Sequence, residues 1–359
     1  MPGIHTRHFL YKGGLHMKIY QDSGYIDIRK ILSLNLPFNF IVGGRGTGKT
    51  YTSLETIIED NIKFIYMRRT QTQTDLINKP EFSPFKSLNR DFGWNIGSQS
   101  LSKYNAGYYQ QQEQDGRMVC CGSPIGYSCA LSTVSNMRGF DASDVDVLIY
   151  DEFIPEKHER PIKNEGAAFL NACETINRNR ELSGRKPLQT ICLANANDLA
   201  NPIFMELRLV RKAEQMRRKK QEIYIDRERG IGLFILDKSP ISSQKKTTAL
   251  YRLTSGSNFE RMSLDNDFSG EEIGRISSRP IAEYKPIVSV GEITIYEHKS
   301  KRSYYISTHK AGSPPTFGTG DAERARFIRM YRWVWDEYME NNIEFEEYLC
   351  EILLTKIFN

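Results

Sequence analysis

From Phe38 onward, short apolar runs alternate with longer polar or amphipathic stretches. The runs Phe38 to Val42, Phe64 to Met67, Val145 to Tyr150 and Thr190 to Ala194 are too short for helices. They are nearly continuously apolar, as strands covered on both faces are. The stretches between them are long enough for crossover helices, so the spacing predicts βαβ units and a mostly parallel sheet. Between the second and third runs, Thr70 to Asp144 is rich in Ser, Gln and Tyr, with a strand or hairpin expected at Arg117 to Leu131; it reads as decoration of the sheet edge. Farther on, Ile223 to Leu236, Ile287 to Tyr296 and Tyr304 to Thr308 read as strands in hairpins with little helix between them, which marks a second domain. The chain closes with helical patterns at Ala322 to Glu340 and Ile343 to Phe358, after a Gly/Pro loop at Gly312 to Gly320.

This pattern divides the 359 residues into four parts. Residues 1–16 lack apolar periodicity and precede a second methionine, Met17, so they read as a tag or a misassigned start. Residues 17–206 form the α/β domain, 207–230 a basic linker, and 231–359 a smaller α+β domain. Composition agrees, since 39% hydrophobic and 26% charged residues are those of a folded chain. No apolar run approaches the ~18 residues that cross a bilayer, and no secretory signal opens the chain, so no membrane partner and a cytoplasmic location are expected. The six cysteines are scattered without the spacing of a zinc site and read as reduced thiols.

A net charge of +5 does not by itself imply a nucleic-acid partner. Its distribution is more telling. Between Leu207 and Lys220, Arg208, Arg211, Lys212, Arg217, Arg218, Lys219 and Lys220 face a single acid, Glu214. That stretch reads either as a polyanion contact or as a linker helix with a solvated face.

The chemistry begins at Gly43-Gly44-Arg45-Gly46-Thr47-Gly48-Lys49-Thr50, which fits the eight-residue P-loop pattern between a strand and the helix expected over Tyr51 to Glu59. Glycines let the backbone curl until successive N–H groups point at phosphates, and the helix N-terminus adds attraction. Lys49 would reach the β- and γ-phosphates of ATP, and the Thr50 hydroxyl would bind Mg²⁺. Downstream, Val147-Leu148-Ile149-Tyr150-Asp151-Glu152 delivers two acids at the end of an apolar strand, a Walker B pattern. Asp151 would hold the metal through water, while Glu152 would orient and polarise the attacking water. Asn195, ending the Thr190 run, is either a sensor of the γ-phosphate or a turn former before Asn197 and Asp198. Arg178 and Arg180 are both candidates for an arginine supplied to a neighbouring subunit's γ-phosphate.

At these residues the chain resembles the packaging ATPases of phi-29-like tailed phages, within the FtsK/HerA group of ring translocases. The blocks Phe40 to Thr50, Ile65-Tyr-Met-Arg-Arg69, Ile149-Tyr-Asp-Glu-Phe-Ile154, Arg178-Asn-Arg-Glu181, Ile191-Cys-Leu-Ala-Asn195, Asn201-Pro-Ile-Phe204 and Met262-Ser-Leu-Asp-Asn266 match in order. The resemblance implies an ASCE-type P-loop NTPase followed by a degenerate RNase H-like domain. It assigns Lys49 and Thr50 to nucleotide and magnesium, Asp151 and Glu152 to the Walker B pair, Arg178 to the trans-acting finger and Asn195 to the sensor. It further implies a homomeric ring, usually a pentamer, docked on the prohead portal and feeding double-stranded DNA through a central pore. Some relatives carry a structural RNA, a partner left open here. Beyond about Asn266 little aligns, and the Thr70 to Asp144 insertion is longer than the family pattern.

Two rivals share the same pocket. A nonviral FtsK/HerA-like transfer motor would be expected to add membrane spans or sequence-reading domains. A terminase large subunit with active nuclease would need carboxylates such as Asp237, Asp265 and Asp267 to bind metals.

Overall fold

The computed structural model describes residues 17–358 apart from 138–141, 157, 158, 160, 161, 197, 237–240, 242–244, 258, 259 and 261–274. The leader, the Met262 to Asn266 block, and Asp237, Asp265 and Asp267 lie outside the described residues. The chain forms two compact units, one from Met1–Asn197 and Met216–Asp267, the other from Asp198–Gln215 and Phe268–Asn359.

In the first unit the four apolar runs form strands β1 (Phe38–Gly43), β2 (Phe64–Arg68), β6 (Val147–Asp151) and β7 (Gln189–Ala194). Every residue of β6 is buried, as is all of β1 beyond Phe38, which explains their unbroken apolar character. The insertion supplies β3 (Ile96–Ser100), β4 (Ala106–Gln114) and β5 (Arg117–Ala130), and the sheet gains β8 (Ile223–Asp226) and β9 (Ile231–Leu236). The nine strands run in the order β3-β4-β5-β2-β6-β7-β1-β9-β8, parallel from β5 to β9 with antiparallel hairpins at both edges. Strand β7 thus separates the P-loop strand from the acidic strand, the ASCE arrangement. The stretch Arg117 to Leu131, read as a strand or hairpin, is the single strand β5, which pairs antiparallel with β4, as β4 does with β3.

Helix α1 (Ile28–Leu32) and helix α2 (Lys49–Glu59) come from the segments around β1. Helices α3 (Gln71–Ile77) and α4 (Lys86–Phe92) follow β2, and α5 (Glu165–Asn177) follows β6. Helix α3 starts at a reciprocal cap, with Gln73 N–H donating to Thr70 Oγ1 and Thr70 N–H donating to the Gln73 side chain. In α5, Phe169, Ala172, Cys173 and Ile176 recur at helical spacing and are buried. Phe169 stacks on Tyr150 at 5.6 Å and meets Phe40 at 6.4 Å, clamping α5 to β6 and β1.

The expected boundary near 207–230 is corrected. The β8–β9 hairpin belongs to the first unit, because the buried Ile-Gly-Leu-Phe-Ile-Leu of β9 pairs in parallel with β1 from Phe38↔Ile231 to Gly43↔Leu236. A strand that apolar cannot sit in a solvated hairpin, and beside β1 both its faces are covered. The chain therefore leaves the first unit at residue 198 and returns at 216.

The second unit holds β10 (Tyr284–Val290), β11 (Ile293–His298), β12 (Tyr304–Ser307), β13 (Thr316–Phe317) and β14 (Ile343–Phe345), in the order β13-β10-β11-β12-β14. The three central strands form an antiparallel meander and both edge pairs are parallel. Helices Asp321–Met330, Arg332–Met339 and Tyr348–Phe358 contribute Phe327, Val334 and Leu354 to a core with Val288, Ile295 and Phe345. Two helical expectations are corrected here. The stretch Ala322 to Glu340 is broken at Tyr331, whose φ of −125° and ψ of 30° depart from the helical region. Ile343-Glu344-Phe345 alternates buried and half-buried as a strand paired with β12, and the helix begins only at Tyr348.

Among the described residues, no helix is long and apolar enough to cross a membrane. All six cysteines are unbridged, four of them buried, as expected.

Candidate active site

Parallel register brings the strand ends of the first unit level. Ile41, Leu193 and Asp151 lie side by side, and Met67 pairs with Tyr150, so Gly43, Asn195, Asp151 and Arg68 emerge along one edge. This is where an α/β sheet places its ligands.

The P-loop curls between β1 and α2 with Gly46 at φ 72° and Gly48 at φ 79°, the left-handed region that favours glycine. Gly48 caps α2. Lys49 is only 8% exposed and donates to Gly43 O at 2.9 Å, Gly44 O at 2.8 Å and Asn195 Oδ1 at 3.3 Å. Burial pushes this ammonium down to about 7. Asp151 opposes that shift, while the nearby positive charges of Lys245 and Arg45 add to it. A buried cation held by weak carbonyl acceptors suits a site built to receive an anion.

Thr50 Oγ1 donates to Asp151 Oδ2 at 3.1 Å, placing hydroxyl and carboxylate oxygens together. Oxygen donors of this kind fit a hard divalent cation. Asp151 is buried and also accepts from the Tyr66 hydroxyl and from Arg68 Nη1 at 3.2 Å. Glu152 follows with φ 56°, its N–H turned back to Asp151 Oδ1 at 3.0 Å. Left-handed backbone is strained for glutamate, and such strain gathers at working sites. Its carboxylate is half-exposed and pairs with Arg68 Nη2; burial raises its pKa and Arg68 opposes the rise. Lys49, Thr50, Asp151, Glu152 and Asn195 line one cavity of about 230 Å³.

The sequence leaves open whether Asn195 belongs here or only turns the chain; its contact with Lys49 places it in the pocket. The two arginine candidates separate cleanly. Arg180 is buried, paired with Asp146 and hydrogen-bonded to Val145 O, which makes it a brace for the approach to β6. Arg178 is exposed at the end of α5, with φ 45° and ψ −134°, and does not line the cavity of its own chain.

Sequence reasoning missed four contributors. Arg68 ends β2 and Arg69 follows it, and the two side chains meet different acids. Arg68 binds both Asp151 and Glu152, while its buried Nε finds no acceptor among the described residues. Arg69 is fully buried, with Glu165 gripping it from 2.7 and 3.0 Å and Glu159 from 2.7 Å, and so ties β2 to the loop after Glu152. Paired arginines closing an apolar run are the signal that could have revealed them. Lys245 Nζ donates to Arg45 O at 2.6 Å and lies where a Cβ on Gly46 would fall. Tyr66 lies in the same Ile65 to Arg69 block, but nothing in the sequence marks its contact with Asp151.

Comparison with known proteins fits this geometry. The sequence family described as Podovirus DNA encapsidation protein (Gp16) matches residues 20–291. The DNA packaging protein of Bacillus phage phi29 is 30% identical over 248 residues, 68% of this chain and 65% of that relative. That of Bacillus phage B103 is 29% identical over 244 residues, 66% of each chain. The chain thus spans about two thirds of the length of these relatives. Among solved structures, the bacteriophage phi-29 viral genome packaging motor assembly aligns with TM-score 0.64 at 21% identity, over 93% of this chain and 98% of that one. The phi-28 DNA packaging motor aligns with TM-score 0.57 at 18% identity, over 90% and 94%. These two likenesses support the fold, and the match over 20–291 places the chain in the podovirus DNA encapsidation protein (Gp16) family.

Proposed function

We propose that this chain is an ATP-hydrolysing motor subunit that drives double-stranded DNA into a phage prohead. The observation that carries the reading is the convergence of Lys49, the Thr50–Asp151 pair and Glu152 on one cavity. Membership of an encapsidation family and relatives named as DNA packaging proteins support it.

Bound magnesium ATP would supply a γ-phosphoryl group for transfer to water. The chain's own residues define what happens around it. The glycine backbone and α2 N-terminus would hold the phosphate chain, and Lys49 would exchange its carbonyl acceptors for phosphate oxygens. Thr50 and Asp151 would hold the metal. Glu152 is the base that orients water, and because its carboxylate is engaged by Arg68, it acts only once that pair opens. Asn195, already on Lys49, is placed to respond to the terminal phosphate.

Arg178 is the group offered to a neighbouring subunit. It is exposed, strained and outside its own pocket, which suits a finger acting across a ring interface. The assembly in this reading is a homomeric ring, a pentamer by resemblance, docked on the portal in the host cytoplasm. Duplex contacts are mainly to phosphates and carry no sequence information. In the second unit, the meander β10–β11–β12 with β13 parallel beside β10 supports the RNase H-like reading, while β14 departs from it by pairing with β12.

The test is the ATPase rate of purified protein with and without duplex DNA, measured alongside its mass in solution. A rate stimulated by DNA and dependent on assembly is expected. Absence of both ATP binding and turnover in assembled protein would end the motor reading.

A further inference from the structure

An aromatic pair beside the P-loop has no part in the chemistry above. The Tyr25 ring lies against Gly48, so close that a Cβ built there would come within 2.7 Å of the Tyr25 Cγ. Its segment is tied to the loop directly, since Ile26 N–H donates to Thr47 O at 3.2 Å. Tyr51, in the first turn of α2, lines the same cavity as Lys49 and Glu152. The two ring centroids are 6.0 Å apart with planes at 51°. The Tyr51 hydroxyl donates to Asp91 Oδ2 at 3.0 Å, which fixes its ring; burial first, then Asp91, push this phenol up to about 12, so it stays a neutral donor.

Position gives the pair its meaning. Glu152 marks the γ-phosphate end of the cavity, with the Lys49 ammonium reaching toward it. The phosphate chain then runs back along the loop N–H groups toward the start of α2, so whatever is esterified to the α-phosphate leaves the cradle beside Gly48 and Tyr51. Two fixed π-faces stand at that exit. We propose that Tyr25 and Tyr51 form a stacking subsite for the purine base of the bound nucleoside triphosphate, an inference that rests on the nucleotide reading of the pocket. Stacking reads a π-face rather than a hydrogen-bond pattern, so the subsite favours purines without selecting strongly between adenine and guanine.

The experiment compares equilibrium binding of magnesium ATP and of inorganic tripolyphosphate to the full chain and its variants. Tyr25→Ala is expected to weaken ATP by about 5- to 100-fold, from the usual strength of base–aromatic stacking, and to leave tripolyphosphate unchanged. Tyr25→Phe is expected to bind ATP as the parent does. Tyr25→Leu keeps most of the bulk against Gly48 without the π-face, and should behave as Tyr25→Ala does; it carries the test should the alanine variant misfold. Equal weakening of ATP and tripolyphosphate in Tyr25→Leu would mean that Tyr25 only props the loop, and would overturn the subsite. Unchanged ATP affinity in that variant would overturn it equally. Failure of the unmodified chain to bind either ligand would remove the nucleotide reading itself, and this inference with it.

Discussion

The two units handle charge in opposite ways. In the second unit three exposed arginines each hold one acid: Arg279 pairs with Glu344 at 2.6 Å, Arg302 with Glu337 and Arg211 with Glu347 at 2.7 Å. At the strand ends of the first unit, Asp151 is shared by Thr50, Tyr66 and Arg68, while Lys49 is buried and turned onto backbone carbonyls. Unequal buried charge costs stability unless something repays it. One-to-one pairs at a surface hold a fold in place, whereas shared, crowded and strained groups in a cavity mark a site awaiting a polyanion and a cation.

The strongest way to break this contrast is to remove charge from the proposed machinery. Arg178→Ala should lower turnover by about 10³-fold or more, the usual contribution of an arginine finger, with little change in melting temperature. Mixing Arg178→Ala subunits with Glu152→Gln subunits should restore part of the rate, because some interfaces regain both groups. No recovery at any mixing ratio would place Arg178 in the service of its own subunit. Glu152→Gln alone should cost about 10²- to 10⁴-fold in turnover while retaining ATP binding, since Thr50 and Asp151, proposed to hold the metal, persist. A Glu152→Gln protein hydrolysing at the parental rate would remove Glu152 from the role of base.

How far such residues can be read from sequence depends on how local their task is. The Gly43 to Thr50 turn is legible because left-handed backbone at Gly46 and Gly48 demands glycine, and Asp151 and Glu152 because the apolar strand before them fixes where they emerge. Arg68 is silent because its meaning is a contact 83 positions away, and Lys245 because its partner is 200 positions away. Arg178 and Arg180 look alike in sequence, and only the end of α5 turns one outward and the other against Asp146. The β8–β9 hairpin is readable as two strands, but its place beside β1 is not, since neither strand carries a mark naming its parallel neighbour. Ile343-Glu344-Phe345 reads as the start of a helix in sequence because three residues are too few to distinguish a period of two from one of 3.6.

Arg69 sharpens the comparison within the first unit, because it is as buried as Lys49 yet fully paired. Removing one partner of a buried pair leaves an uncompensated charge, so Arg69→Ala should destabilise the chain by about 3 to 5 kcal/mol in denaturant unfolding. Arg69→Met combined with Glu165→Leu should recover most of that loss, since apolar residues of similar volume replace buried ion pairs at little cost. Loss of turnover in a double variant that melts like the parent would show that the pair transmits position from β2 to the loop after Glu152. Unchanged turnover would make it a brace alone.

The smallest effect is expected at Arg211, a member of the Leu207 to Lys220 basic stretch with a bidentate acid partner, Glu347, at 2.7 and 2.8 Å. Its side chain is 62% exposed, so screening by water leaves the pair worth less than about 1 kcal/mol, and Arg211→Ala should shift the unfolding midpoint correspondingly little. The same variant addresses the basic stretch as a polyanion contact. A guanidinium engaged on both oxygens of Glu347 has little to offer a phosphate, so the dependence of duplex affinity on salt should keep its slope in Arg211→Ala. A slope reduced by about one would mean that the arginine leaves Glu347 for the DNA backbone, and would move Arg211 from the side of structural pairs to the side of working charges.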